Sequence, residues 1–173
     1  MKRSSQLFGA VLLSFFVFVG LGSVSHAAEP LPPAKGPVIL TISGKIEQTN
    51  SIAGAQFDKE MLEAIGRASI TTRSEVSDVP QVFDGVPLRA VLDRVGAKGK
   101  AMRAIALNDY ATIIPFDDLQ FEPILAMRVD NRVLTIRDKG PLWIAYPRDA
   151  HKVLQDTRYD SRWVWQLSRL NIE

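Results

Sequence analysis

Residues 82–92, Val-Phe-Asp-Gly-Val-Pro-Leu-Arg-Ala-Val-Leu, are the most informative stretch of this 173-residue chain. Asp84-Gly85 is a dipeptide typical of tight turns. Pro87 suits the first position of a helix, because the N–H that proline lacks has no partner there. Gly96 is a typical helix end. The sequence therefore predicts a turn at Asp84-Gly85, followed by a helix over residues 87–95 whose buried face is Leu88, Val91, Leu92 and Val95.

Short β-strand patterns joined by tight turns make up most of the remaining chain. Asn108-Asp109 and Asp130-Asn131 are turn dipeptides of the kind that connect hairpins. A second amphipathic helix is predicted over residues 57–65. Strands outnumber helices without sustained βαβ alternation, which predicts an α+β fold with a mainly antiparallel or mixed sheet and a few short helices. The predicted strands cover residues 38–44, 68–74, 102–107, 110–114, 124–129, 133–136, 142–146 and 163–170.

The first residues are typical of a secretory signal peptide. Lys2 and Arg3 precede an apolar run over residues 7–22, and small residues stand at positions 25 and 27. We expect cleavage near Ala27, so that residues 1–27 are the signal peptide and the protein is periplasmic or secreted. The apolar run has about 16 residues, fewer than the roughly 20 that span a bilayer, so no stable membrane span is expected after cleavage.

The part of the chain after Ala27 is predicted to be one domain behind a linker. Residues 28–37 hold four prolines and few apolar side chains, which predicts an extended, proline-rich linker. Residues 38–173 then form a single domain.

Composition excludes several kinds of site. The chain has no cysteine and two histidines, which excludes disulfides, thiolate chemistry and a multi-histidine metal site. Without residues 1–27, the 21 Lys and Arg residues fall to the number of the 19 Asp and Glu residues. A chain without net charge has no global field to hold a nucleic acid, and we expect no nucleic-acid partner.

Four segments in order resemble the molybdopterin-binding domain of the sulfite-oxidase-type oxidoreductases. Residues 82–92 are similar to that family's aromatic-x-Gly-x-Pro-Leu start of a helix, and residues 124–134 to the strand and turn before its pterin-facing loops. Residues 139–147 are similar to its Gly-x-Pro-Leu strand that ends in proline, and residues 161–167 to its closing Trp-Val strand. The resemblance implies the sulfite-oxidase-type fold over residues 38–172, in a small secreted member of the family.

The sequence departs from the family at the metal ligand. In catalytic members, one cysteine shortly before the Gly-x-Pro-Leu segment ligates molybdenum through its thiolate. Residues 71–75 here are Thr-Thr-Arg-Ser-Glu, and Arg73 or Ser74 occupies the equivalent place. A hydroxyl is a harder and far less acidic ligand than a thiol, and a guanidinium has no lone pair to coordinate a metal. The resemblance therefore implies the fold, with molybdopterin a candidate cofactor by resemblance alone, and we assign no metal ligand.

Seven residues are candidates for ligand binding. Arg73 could bind a carboxylate, sulfate or phosphate if it lies in a retained cleft, or be a solvated side chain. Lys139 and Arg148 could form an anion-binding rim with Arg158, although the acidic residues among them also fit a solvated surface. The others are Ser74, as an atypical metal ligand, and Asn108, Asp109 and Tyr110, either as ligand contacts at a hairpin tip or as turn residues.

Two further pairs of residues are expected to have structural roles. Asp117 and Asp118 follow a proline and are expected to favour the N-terminus of a helical turn. Trp163 and Trp165 would share one face of the last predicted strand, where they either pack in the core, the usual role, or form an aromatic wall for a pterin or other planar ligand.

The features above predict a non-catalytic periplasmic module of the molybdopterin-oxidoreductase type, which binds a small anionic ligand, or a membrane sensor or redox protein. One alternative is a molybdopterin-dependent oxidoreductase whose metal ligand is atypical, such as Ser74, or is supplied by a partner. The other is an accessory subunit of a redox complex.

Overall fold

The computed structural model of the protein describes residues 29–173, so the predicted signal peptide lies outside the described residues. Four 3₁₀ helices of this part of the chain are Phe116–Phe121, Ile136–Asp138, Lys152–Gln155 and Thr157–Arg162. The strands and α-helices of the same part are β1 (Leu40–Gly44), β2 (Ala55–Phe57), α1 (Lys59–Ile65), β3 (Ala68–Ser74), β4 (Ser77–Pro87), α2 (Leu88–Arg94), β5 (Ala101–Ala106), β6 (Ala111–Pro115), β7 (Ile124–Val129), β8 (Arg132–Val133), β9 (Trp143–Ala145) and β10 (Leu167–Ile172).

The strands form two five-stranded sheets. The first has the order β2-β1-β10-β5-β6, in which β1 and β10 are parallel and the other neighbours antiparallel. The second has the order β3-β4-β7-β8, with β9 also paired to β7, and all of its pairs are antiparallel. The prediction of an α+β fold with mixed sheets and few short helices is confirmed. Within residues 29–173, none of the helices has the length and hydropathy that a membrane crossing requires.

The helix predicted over residues 87–95 is confirmed as α2, which covers Leu88–Arg94. Pro87 takes the N-cap position and the helix begins at Leu88. Leu88, Val91 and Leu92 are buried in one continuous core, as is Val95 at the C-cap. The spacing of these residues therefore gave both the helix and its buried face.

The predicted turn at Asp84-Gly85 is wrong, because both residues lie inside β4. They pair with β3 on one side and with β7 on the other, and the register shifts between them as in a β-bulge. A Cβ at position 85 would overlap the carbonyl oxygen of Leu125 on β7. Gly85 is thus required for the close approach of two strands, and this need gives the same sequence signal as a turn.

The last predicted strand also begins later than expected. β10 starts at Leu167, and residues 163–166 form an irregular segment before it. Trp163 and Trp165 therefore do not share a face of a strand. The sequence analysis also missed the three-residue β2, which pairs with β1.

The proline-rich residues 29–37 contact the domain. Leu31 is buried in the core, and the carbonyl oxygen of Pro30 accepts a hydrogen bond from the Arg94 guanidinium at 3.2 Å. The backbone N–H groups of Lys35 and Gly36 donate to one carboxylate oxygen of Asp58, whose other oxygen caps α1. These backbone donors, Gly36 foremost, hold the pKa of Asp58 below its usual range.

Candidate functional site

The tip of the β3–β4 hairpin places an acidic side chain against the body of the protein. Ser74 pairs with Ser77, which leaves Glu75 and Val76 as the two residues of the turn. Val76 is exposed, whereas both carboxylate oxygens of Glu75 are buried. Neither oxygen has a hydrogen-bond partner among the described residues. A buried carboxyl without a partner is costly, and a group of this kind calls for an explanation.

Glu75 lines a cavity of about 260 Å³, which we call the Glu75 cavity. The cavity lies between the β3–β4 hairpin, the β5–β6 turn and the irregular segment before β10. Its wall combines aromatic rings with two carboxyl side chains, and no basic side chain is among the described residues that line it. The lining residues are Glu75, Asn108, Tyr110, Asp160, Ser161, Trp163, Val164 and Trp165.

A buried ion pair holds one wall of the cavity in place. The carboxylate of Asp118 accepts hydrogen bonds from the Arg162 guanidinium at 2.6 Å and from the Tyr146 hydroxyl at 3.0 Å. Arg162 ends the 3₁₀ helix Thr157–Arg162, so the pair fixes the backbone immediately before Trp163. The sequence analysis expected Asp118 to favour a helix terminus. It did not predict the main interaction of Asp118, which is with Arg162, 44 positions away in sequence.

The aromatic wall continues into the core. Trp163 packs edge-on against Phe83 and Trp143, with ring centroids 5.9 Å and 6.1 Å away. The indole N–H groups of Trp163 and Trp143 are buried and have no hydrogen-bond partner within residues 29–173. On the cavity's other side, the Tyr110 hydroxyl donates to the carbonyl oxygen of Ser161 at 3.0 Å. Two residues of the wall, Trp163 and Glu75, thus each have a buried polar group without a partner.

Burial is the main determinant of the acidity of Glu75. It raises the pKa of the carboxyl from 4.5 to about 7. The amide of its own backbone and the positive charges of Lys139 and Arg148 act in the opposite direction, while the charge of Asp160 adds to the rise. Protonated and ionised forms of Glu75 are therefore both populated near neutral pH.

The basic residues of the predicted site already have partners. The Arg73 guanidinium bonds one Asp149 oxygen through Nε at 2.9 Å and through its terminal nitrogen at 2.8 Å. This pairing lowers the pKa of Asp149 below its usual range. Arg148 is paired with Asp160. Arg158 is paired with Asp156, so both arginines of the predicted anion rim already have counter-charges.

The other predicted site residues divide between the cavity and the surface. Asn108 and Tyr110 line the Glu75 cavity, although Asn108 also accepts a turn hydrogen bond from the Tyr110 N–H. Asp109 has a positive φ of 62° and pairs with Arg169, away from the cavity. The Lys139 ammonium lies over the rings of Trp143 and Trp165, 5.0 and 5.6 Å from their centroids. The remaining three, Arg73, Ser74 and Arg148, line a second cavity of about 250 Å³, to which Glu75 also contributes.

The donor set does not fit a molybdenum centre held by a thiolate. The chain has no cysteine, and the guanidinium of Arg73, one of the two residues predicted at the ligand position, is bound to a carboxylate. Ser74 is buried, and its hydroxyl oxygen faces the backbone N–H of Val76 at 3.4 Å. Residues 29–173 contain no group of three or more His, Asp or Glu side chains able to hold a metal ion.

The sequence analysis missed Glu75 as the central residue of the site. Glu75 lies in the stretch of residues 71–75 that the family resemblance singled out, but a glutamate in a two-residue turn is normally exposed. The sequence did contain one signal: a glutamate occupies a two-residue turn, where Asn, Asp and Gly are the usual residues.

Comparisons with solved structures support the fold. No family model and no curated protein matches the chain. Among solved structures, it is similar to the crystal structure of the sulfane dehydrogenase SoxCD from Paracoccus pantotrophus. The TM-score is 0.59 at 19% identity, over 77% of this chain and 37% of that chain. The similarity shows that the chain shares its fold with part of that protein, and the chain spans less than half of the neighbour's length.

Proposed function

We propose that this chain is a periplasmic domain of the sulfite-oxidase type that binds a small ligand in the Glu75 cavity and does not perform oxo transfer. The observation that carries the proposal is the buried Glu75 carboxyl without a hydrogen-bond partner, beside a cavity of about 260 Å³. A group of that kind is tolerated where a ligand completes its hydrogen bonds. The lack of a thiolate ligand supports the non-catalytic part of the proposal.

An anion at Arg73 stays a prediction of the sequence analysis. The guanidinium is already bound by Asp149, so an anion would have to displace that carboxylate. A membrane sensor or redox protein as partner stays a prediction as well. The structure favours a small molecule because the unpaired groups line a cavity and not a flat surface.

The first test is elemental analysis for molybdenum on the full chain exported from a host that produces molybdenum cofactor. We expect no stoichiometric metal. One molybdenum per chain would overturn the non-catalytic proposal and favour an oxidoreductase with an atypical ligand.

The second test measures binding through thermal stability. Small anionic, neutral and cationic molecules are added to the wild type and to two variants. Ser161→Trp places a large side chain at an exposed position on the cavity wall, and Thr157→Trp places the same side chain at an exposed position of the same 3₁₀ helix, away from the cavity. We expect at least one molecule to raise the Tm of the wild type and of Thr157→Trp but not of Ser161→Trp. No stabilisation by any class would overturn the binding role.

A further inference from the structure

The charge of the Glu75 cavity indicates which class of ligand it takes. Its two ionisable acids, Glu75 and Asp160, are accompanied by no basic side chain among the described lining residues. Asp160 is paired with Arg148 outside the cavity, but the Glu75 oxygens have no partner. The wall of this cavity therefore carries no basic side chain, and a ligand that reaches the buried Glu75 carboxyl from it must bring a positive charge or a hydrogen-bond donor.

The aromatic rings of the wall favour a cation over a neutral donor. Tyr110, Trp163 and Trp165 line the same cavity as Glu75, and the faces of such rings attract cations. The outer side of this cluster already holds one, because the Lys139 ammonium lies 5.6 Å from the centroid of Trp165. Aromatic rings together with a carboxylate are the combination that recognises ammonium groups.

From these observations we propose that the Glu75 cavity binds a small organic cation, with an amine or ammonium group at Glu75 and an apolar or aromatic body against Tyr110, Trp163 and Trp165. The proposal rests on the ligand-binding function and names its ligand class. The volume of about 260 Å³ leaves room for roughly eight or nine non-hydrogen atoms, at the approximately 30 Å³ that a water molecule occupies in the liquid.

Binding of such a cation is coupled to the ionisation of Glu75. The charged groups that face its carboxyl are Lys139 and Arg148 on the segments flanking β9 and Asp160 on the 3₁₀ helix. Arg73, on the same hairpin, is engaged by Asp149. Because burial keeps the pKa of Glu75 near 7, a bound cation favours the ionised form and displaces a proton. The affinity for a cation therefore rises between pH 6 and pH 8.

The test uses three probes of nearly equal shape and different charge: benzylamine, benzyl alcohol and benzoate. Calorimetric titration is performed on the full chain, the Glu75→Gln variant and the Asp78→Asn variant, which removes an exposed acid from the same hairpin. We expect benzylamine to bind the wild type and Asp78→Asn with similar affinity, and Glu75→Gln at least tenfold more weakly. Benzoate should not bind. In the wild type, benzylamine affinity should increase from pH 6 to pH 8 while the amine stays protonated.

The outcomes separate this proposal from the one on which it depends. If benzoate or benzyl alcohol binds at least as well as benzylamine, and Ser161→Trp abolishes that binding, the ligand-binding function stands and the proposal that the ligand is a cation is wrong. A benzylamine affinity unchanged in Glu75→Gln, or unchanged between pH 6 and pH 8, would also overturn the cation proposal. If no probe binds and the broader thermal test shows no ligand, both proposals fail.

Discussion

Replacement of Glu75 by glutamine should change how the stability of the protein depends on pH. A protonated glutamate and a glutamine are close in shape and both neutral, so the wild type and Glu75→Gln should have similar free energies of unfolding at low pH. They should diverge as the pH rises from 4.5 towards 7, because the carboxyl then ionises in the unfolded chain while burial keeps it protonated in the folded protein, and a glutamine does not ionise in either state.

The size of the effect follows from the pKa. The carboxyl of Glu75 has a pKa of about 7 in the folded protein, against 4.5 without the protein environment. Between these values the folded state holds a proton that the unfolded state has lost, so the wild type becomes less stable as the pH rises, and the loss is complete above pH 7. At about 1.4 kcal/mol per pKa unit the loss is roughly 3 kcal/mol. Glu75 keeps partial exposure, and screening by solvent reduces the expected loss to about 2 kcal/mol.

The assay is urea denaturation of the wild type, Glu75→Gln and Asp78→Asn at pH 4, 5, 6, 7 and 8. We expect the free energies of unfolding of the wild type and Glu75→Gln to agree at pH 4, below the pKa of 4.5 that the carboxyl has without the protein environment. At pH 8, Glu75→Gln should be more stable by about 2 kcal/mol. Asp78→Asn, which changes an exposed acid, should follow the wild type at every pH. Parallel curves for the wild type and Glu75→Gln would show that the carboxyl is hydrated in solution and would refute the reasoning.

Three other substitutions test the buried ion pair beside the cavity, the approach of two strands and the core, each by urea denaturation. Asp118→Ala leaves the guanidinium of Arg162 without its buried partner and should cost about 3–5 kcal/mol, and a cost under about 1 kcal/mol would contradict the buried pair. Gly85→Ala drives a methyl group into the backbone of Leu125 and should cost about 3 kcal/mol or more, while unchanged stability would mean that the two strands are further apart. Leu92→Ala removes a core side chain from α2 and should cost about 2–5 kcal/mol, so a negligible change in the free energy of unfolding would place that helix outside the core.

The parts of the fold that sequence reasoning predicted are those determined by local patterns. Proline at a helix start, the 3.6-residue spacing of α2 and the turn dipeptides of the hairpins act over a few residues. The wrong predictions involve partners that are far away in sequence. Asp84-Gly85 is a bulge because β7 approaches it, and the first half of β4 has exposed residues whose strand conformation comes from pairing with β3.

The candidate site was harder to predict for the same reason. The residue types of Arg73 and Arg148 suggest anion binding, but Asp149 and Asp160 neutralise them across contacts that no local pattern specifies. Glu75 appears as an ordinary turn residue until the fold brings it against the segment before β10. Resemblance to a family singled out residues 71–75, and the environment of each side chain then distinguished the unpaired Glu75 from the paired Arg73.

The position of β10 has a consequence for the synthesis of the protein. β10 lies between β1 and β5, so the first sheet lacks its central strand until residues 167–172 have left the ribosome. Before that point β1 with β2, and β5 with β6, are two separate hairpins with no strand to join them, and isolated hairpins are marginal in water. A nascent chain interrupted before Leu167 therefore exposes apolar strand faces and unpaired edges, which makes it a target for chaperones and proteases instead of a partly working domain.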